Sequence, residues 1–232
     1  MDITRMSENK ISSPKEFFKS INFGVEDSSR VAEYEKQQEE IKAKEKYEIY
    51  KKSGVPEKFF DTTIDDYKAV NEEEIKIKNT AKDFASNPQN RVLICHGKNG
   101  NGKSLLGCGI IRVAGGEYVL SSDLCVEYEA ATSYHAPRSR IQLLKHYAKL
   151  PGVLVIDECC KYTLNIELEK FIDSYIVCAR YENNLATDLI TNSNKKDFVD
   201  FLGKAVFDRF TQVCTSLEFN EPSYRINLRG NV

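Results

Sequence analysis

Arg91-Val92-Leu93-Ile94-Cys95-His96 followed by Gly97-Lys98-Asn99-Gly100-Asn101-Gly102-Lys103-Ser104 decides the fold. The first six residues read as a buried strand. The next eight match G-x-x-x-x-G-K-[ST], and Ser104 to Val113 reads as a helix stopped by Gly115-Gly116. Glycines let a backbone curl so that successive N–H groups point inward at phosphates, and the helix that begins there adds its positive end. The candidate binding set therefore runs Gly97, Lys98, Asn99, Gly100, Asn101, Gly102, Lys103, Ser104 and Leu105. Lys103 supplies a full charge to the outer phosphates, and the Ser104 hydroxyl is a candidate Mg²⁺ ligand.

Outward from that loop, Val153-Leu154-Val155-Ile156-Asp157-Glu158 is an apolar strand with two carboxylates at its C-terminal end, where α/β domains bind ligands. Asp157 is expected to hold the Mg²⁺ shell. Glu158 is expected to orient and activate a water for attack on the γ-phosphate. Phosphate loop and paired carboxylates together predict ATP hydrolysis with Mg²⁺. No Asn-Lys-x-Asp base-reading sequence is present, which disfavours guanine nucleotides.

Strand and helix patterns alternate through the rest of the chain. Glu72 to Ala85 and Asn165 to Tyr181 read as helices, and Lys195 to Phe210 as one continuous helix. Two helical patches flank Tyr134 to Arg138. Tyr118 to Leu120, Ala186 to Thr191 and Val213 to Phe219 read as strands. The βαβ order predicts a central parallel sheet flanked by helices. Ser53-Gly54-Val55-Pro56 is a breaker cluster that divides residues 1–53, a short helical N-terminal arm, from 54–232, the ATPase domain. In the arm, Ser29 to Lys52 reads as a helix with a thin stripe of Val31, Tyr34, Ile41, Tyr47 and Tyr50. Pro14 to Ser20 reads as a shorter helix.

Composition narrows the class. With 232 residues, 41% hydrophobic and 29% charged, the chain has material for a full core. No apolar run approaches the roughly 18 residues of a membrane span, and the start lacks a signal-peptide stretch, so a cytoplasmic protein without membrane contact is expected. A net charge of −2 argues against a general electrostatic hold on nucleic acid. The seven Cys form no Cys-x-x-Cys pair and only three His are present, so buried reduced thiols are expected rather than zinc.

Leu189-Ile190-Thr191-Asn192-Ser193-Asn194 ends a strand on polar amides, which suits either a contact to the attacking water or a helix cap. Phe207-Asp208-Arg209-Phe210 places an Arg between aromatics. Taken in order, the phosphate loop, Leu154-Val155-Ile156-Asp157-Glu158, the Asn192 turn, Asp208-Arg209, Ser223-Tyr224-Arg225 and Ser53-Gly54-Val55-Pro56 with Phe59 and Tyr67 resemble the bacterial DnaC-type replicative helicase loaders, which are AAA+ ATPases of the DnaC/IstB-like kind.

The resemblance implies a P-loop AAA+ domain. Asn192 would be the first sensor of the γ-phosphate. Arg209 would be the arginine finger reaching a neighbouring subunit's nucleotide, and Arg225 the second sensor. It implies an ATP-dependent loader that self-associates into an oligomer, binds a hexameric replicative helicase of the DnaB type through the arm, and delivers it to single-stranded DNA during replication initiation. The family places a DNA-contacting insertion where this chain carries Arg138, Arg140 and Lys145 near Tyr134 and Tyr147, a pattern that equally suits a solvated helix. Cys159-Cys160 after Glu158 departs from the family's pattern. An IstB-type transposition ATPase shares these motifs. A small-molecule kinase would need an Arg-rich lid, and none lies between Asp157 and Asn192.

Overall fold

Five parallel strands form one sheet in the order β2-β3-β4-β1-β5. They are β1 (Val92–Gly97), β2 (Gly116–Leu120), β3 (Val153–Cys159), β4 (Thr187–Thr191) and β5 (Cys214–Phe219). The helices are α1 (Asp27–Lys51), α2 (Glu72–Ser86), α3 (Lys103–Ala114), α4 (Ser121–Ala130), α5 (Arg140–Lys149), α6 (Ile166–Glu182), α7 (Lys195–Leu202) and α8 (Lys204–Phe210). This computed structural model describes residues 27–133, 136–161, 164–221 and 223–224. The short helix expected at Pro14 to Ser20 and the residues Tyr134 and Arg225 lie outside them. The chain forms two compact units, Met1–Glu48 and Ile49–Val232. In the first, Tyr34 and Ile41 of α1 are about half exposed.

The sheet lies in the second unit. The chain leaves β1 through α3 to the far edge at β2, then returns through β3 to β4, which inserts beside β1. All five carboxyl ends point the same way, so residues that follow β1, β3 and β4 meet across a topological switch point. Side chains alternate faces along each strand. Val92, Ile94, Leu154, Ile156 and Leu189 join Leu124, Ile172, Ile176, Phe198 and Phe210 in one core under α4 to α8.

Two expectations need correction. The helix expected over Lys195 to Phe210 is two helices, because Gly203 takes φ 90° and turns the chain between them. The strand read over Val153 to Glu158 runs one residue further, to Cys159. Ile156 pairs Leu189 while Cys159 pairs Thr191, so three steps on β3 match two on β4. The extra residue is a β-bulge at Asp157–Glu158, and Glu158 sits at φ 60°. Beyond the bulge Cys159 rejoins the core, and its thiol donates to the Ile156 carbonyl. A small, weakly polar side chain suits that closed position, which accounts for one half of the Cys159-Cys160 pair. All seven cysteines are free.

Candidate functional site

At the carboxyl edge of the sheet, Asn99, Gly100, Gly102, Lys103, Ser104, Leu105, Asp157, Glu158 and Asn192 line one cavity of ≈ 510 Å³. Phe59, Lys161 and Tyr224 complete its wall. Each side chain arrives by a different route. Lys103 opens α3 after Gly102, which holds the left-handed conformation at φ 90°. Its ammonium donates to the Gly97 and Lys98 carbonyls at 2.9 and 2.5 Å, inside the curl of the loop. Asn101 is buried and ties the loop to the end of β5 by donating to the Phe219 and Glu221 carbonyls. Ser223 and Tyr224 close over the other side. The Tyr224 N–H donates to Gly100 O at 3.1 Å, and a Cβ on Gly100 would stand 2.0 Å from Ser223 Oγ. Gly100 is therefore required by close approach as well as by its φ of 83°.

The bulge aims the carboxylates. Asp157 is 3% exposed; its Oδ1 accepts from the Glu158 N–H at 2.6 Å and its Oδ2 from the Tyr118 hydroxyl at 2.5 Å. Glu158 reaches solvent, and its Oε1 lies 2.7 Å from Lys161 Nζ. The turn carrying both is anchored below: the Lys161 N–H donates to the buried Glu169 carboxylate, and Ser121 Oγ lies 2.9 Å from both Glu169 Oε1 and Asp173 Oδ2. Burial pushes the Asp173 carboxyl up to about 8. Thr191 Oγ1 donates to Cys159 O at 2.9 Å and so pins the end of β4 to the end of β3. Asn194, not Asn192, caps α7 by accepting from the Asp197 N–H. Asn192 faces the cavity instead.

The donor set suits a hard divalent ion held by one hydroxyl and one carboxylate, the remainder coming from water and phosphate. Among the described residues no group of three His, Cys, Asp or Glu side chains is placed to hold a metal. Arg209 is not part of this cavity. It projects from α8 into a separate groove with Cys178 and Tyr175, its Nη1 3.6 Å from Glu182 Oε1. The DNA candidates are not gathered either. Arg138 lines a hollow with Glu127 and Leu143, whereas Lys145 lines another with Glu117, His146 and Lys149. Arg140 donates to Tyr128 O and stacks 4.7 Å over the Tyr128 ring. Tyr147 is buried, so it offers no face to a base. Among the described residues no helix is long and apolar enough to cross a membrane.

Tyr118 and Lys161 escaped the sequence reading. Neither lies in a motif, since each is defined by a partner brought in by folding or by a turn. The only signal for Lys161 was its place three residues after Glu158.

No family model matches the chain. It is 27% identical over 201 residues to the replicative helicase loader DnaC of Buchnera aphidicola subsp. Acyrthosiphon pisum, covering 83% of this chain and 80% of that protein. The crystal structure of a DnaC helicase loader superposes with a TM-score of 0.61 at 20% identity, over 71% of this chain and 100% of that one. A replication initiator DnaA bound to AMPPCP and single-stranded DNA superposes at 0.56 and 14% identity, over 73% of this chain and 52% of that one. In sequence this chain is similar to the DnaC-type replicative helicase loaders, and its parallel sheet with flanking helices has the AAA+ fold.

Proposed function

We propose that the chain is an ATP-dependent helicase loader of replication initiation. The observation that supports it most is the meeting of Lys103, Ser104, Asp157, Glu158 and Asn192 around one cavity, with Arg209 outside it. Lys103 and the loop N–H groups hold the phosphates. Ser104 and Asp157 would hold Mg²⁺, which would supply charge neutralisation for the phosphates. Glu158 takes the proton of the attacking water, and Asn192 orients that water or the γ-phosphate. Arg209 serves the nucleotide of a neighbouring copy, so turnover requires self-association. Arg225, outside the described residues, is assigned the second-sensor role by resemblance.

The relatives' names support a replicative helicase as partner; by resemblance that helicase is hexameric and is assigned to residues 1–53, and single-stranded DNA is assigned to Arg138, Arg140 and Lys145. The test is anisotropy of a fluorescent single-stranded oligonucleotide at fixed salt, with and without ATP, using Lys103→Ala as control. Binding that needs ATP and fails in the variant supports the loader reading. Absence of binding in both conditions would remove the DNA role from Arg138, Arg140 and Lys145.

A further inference from the structure

Tyr118 sits in the middle of the edge strand β2, paired with Val155 of β3 and only 7% exposed. Its hydroxyl donates to Asp157 Oδ2 at 2.5 Å. The phenol therefore holds the carboxylate that the site offers to a divalent cation.

The main chain at Tyr118 is held from outside the sheet. Its N–H donates to Ser53 O at 2.8 Å, and Gly54, at φ 80°, lies so close that a Cβ would stand 2.2 Å from Tyr118 O. Ser53-Gly54, read in the sequence as a breaker, thus covers the open edge of β2 at this residue and fixes where the phenol stands. A buried phenol needs only one acceptor to be satisfied, and a backbone carbonyl would do. Here it is spent on the carboxylate of the metal site, whose other oxygen is already taken by the Glu158 N–H.

We propose that Tyr118 is a positioning residue for the divalent cation: its hydroxyl holds the Asp157 carboxylate in its binding orientation. This rests on the reading of the cavity as a Mg²⁺–nucleotide site. Partners that orient metal ligands in this way are worth about 10–100-fold in metal affinity.

The experiment is a Mg²⁺ titration of the full chain with a trace fluorescent ATP analogue, reading the Mg²⁺ concentration at half-maximal binding. Tyr118→Phe keeps the ring and removes the hydroxyl. It is expected to raise that midpoint about 10-fold or more while leaving affinity in EDTA unchanged. Cys108→Ala, in the same buried layer but off the ligand pair, is the packing control and is expected to leave the midpoint where it was. An unchanged midpoint in Tyr118→Phe, or an equal rise in Cys108→Ala, overturns the assignment. A wild type whose nucleotide binding ignores Mg²⁺ overturns the reading of the cavity itself, and with it the proposal.

Discussion

Lys161 places an ammonium 2.7 Å from the carboxylate assigned to activate water, and both side chains reach solvent. Exposed pairs of this kind are worth about 0.2–1 kcal/mol, too little to matter for stability but enough to bias which way Glu158 points. Lys161→Ala is expected to raise kcat by up to about 5-fold, the factor that such a pair can withhold, with the nucleotide Kd unchanged. A fall in kcat would mean that Lys161 serves the γ-phosphate instead. Glu158→Gln provides the scale: single-turnover hydrolysis should drop by about 10²–10⁴-fold while ATP binding survives. That the phosphate loop and Asp157-Glu158 meet at one cavity was legible because each is a contiguous motif at the end of a strand. Tyr118 was not, because its partner lies 39 residues away.

Among the elements, β3 and β4 carry the carboxylates and Asn192, and a single side chain braces both. Arg180 of α6 is fully buried, and among the described residues its hydrogen bonds go to no carboxylate. Its donors go to Tyr147 O, Leu150 O and Gly152 O ahead of β3, and to Ala186 O and Thr187 Oγ1 at the start of β4. Truncation would strand several buried acceptors, each costing about 1–3 kcal/mol. Arg180→Ala is expected to destabilise the fold by about 4 kcal/mol or more in urea unfolding. Sequence periodicity placed α6 correctly yet gave no hint of this brace, since an Arg near a helix end ordinarily reads as a surface charge. The β3 bulge was hidden for a related reason: register is a relation between two strands, and neither strand's sequence states it.

Asp188 adds a pH dependence at the same scale. It is fully buried on β4, with Cys95 of β1, Cys108 of α3 and Asp157 of β3 as the titratable groups around it, and its oxygens find no N–H or O–H donor among the described residues. Burial, and then the Asp157 charge, push its carboxyl up to about 8 from 3.8. Folded, the group keeps its proton to about pH 8; unfolded, it releases it near 3.8. Between those limits the folded state binds more protons. Its contribution to stability is therefore full below 3.8, falls as pH rises, and is gone above about 8. Asp188→Asn should flatten that slope, unfolding at higher urea than the wild type at pH 8 and losing the advantage at pH 4.

At the scale of the whole molecule, the finger role proposed for Arg209 carries a prediction about how copies work together. It stands on α8, mostly exposed, in a groove separate from the nucleotide cavity of its own chain. In the proposed role it would complete a neighbour's site, and such residues are worth about 10³–10⁵ in rate. Arg209→Ala should therefore lose about 10³-fold or more in ATP turnover while binding nucleotide normally. Lys103→Ala should be equally inactive because its own site cannot bind. Mixed, the two defects lie on opposite sides of a head-to-tail contact. An interface formed by the Lys103 site of one chain and the Arg209 of the other is intact. Random assembly of equal amounts makes about a quarter of all interfaces intact, so the mixture should recover about that share of wild-type turnover. Recovery that rises with protein concentration would place the finger in trans. A mixture as inactive as its parts would leave Arg209 a surface cation paired with Glu182, and turnover would have to be completed within one chain.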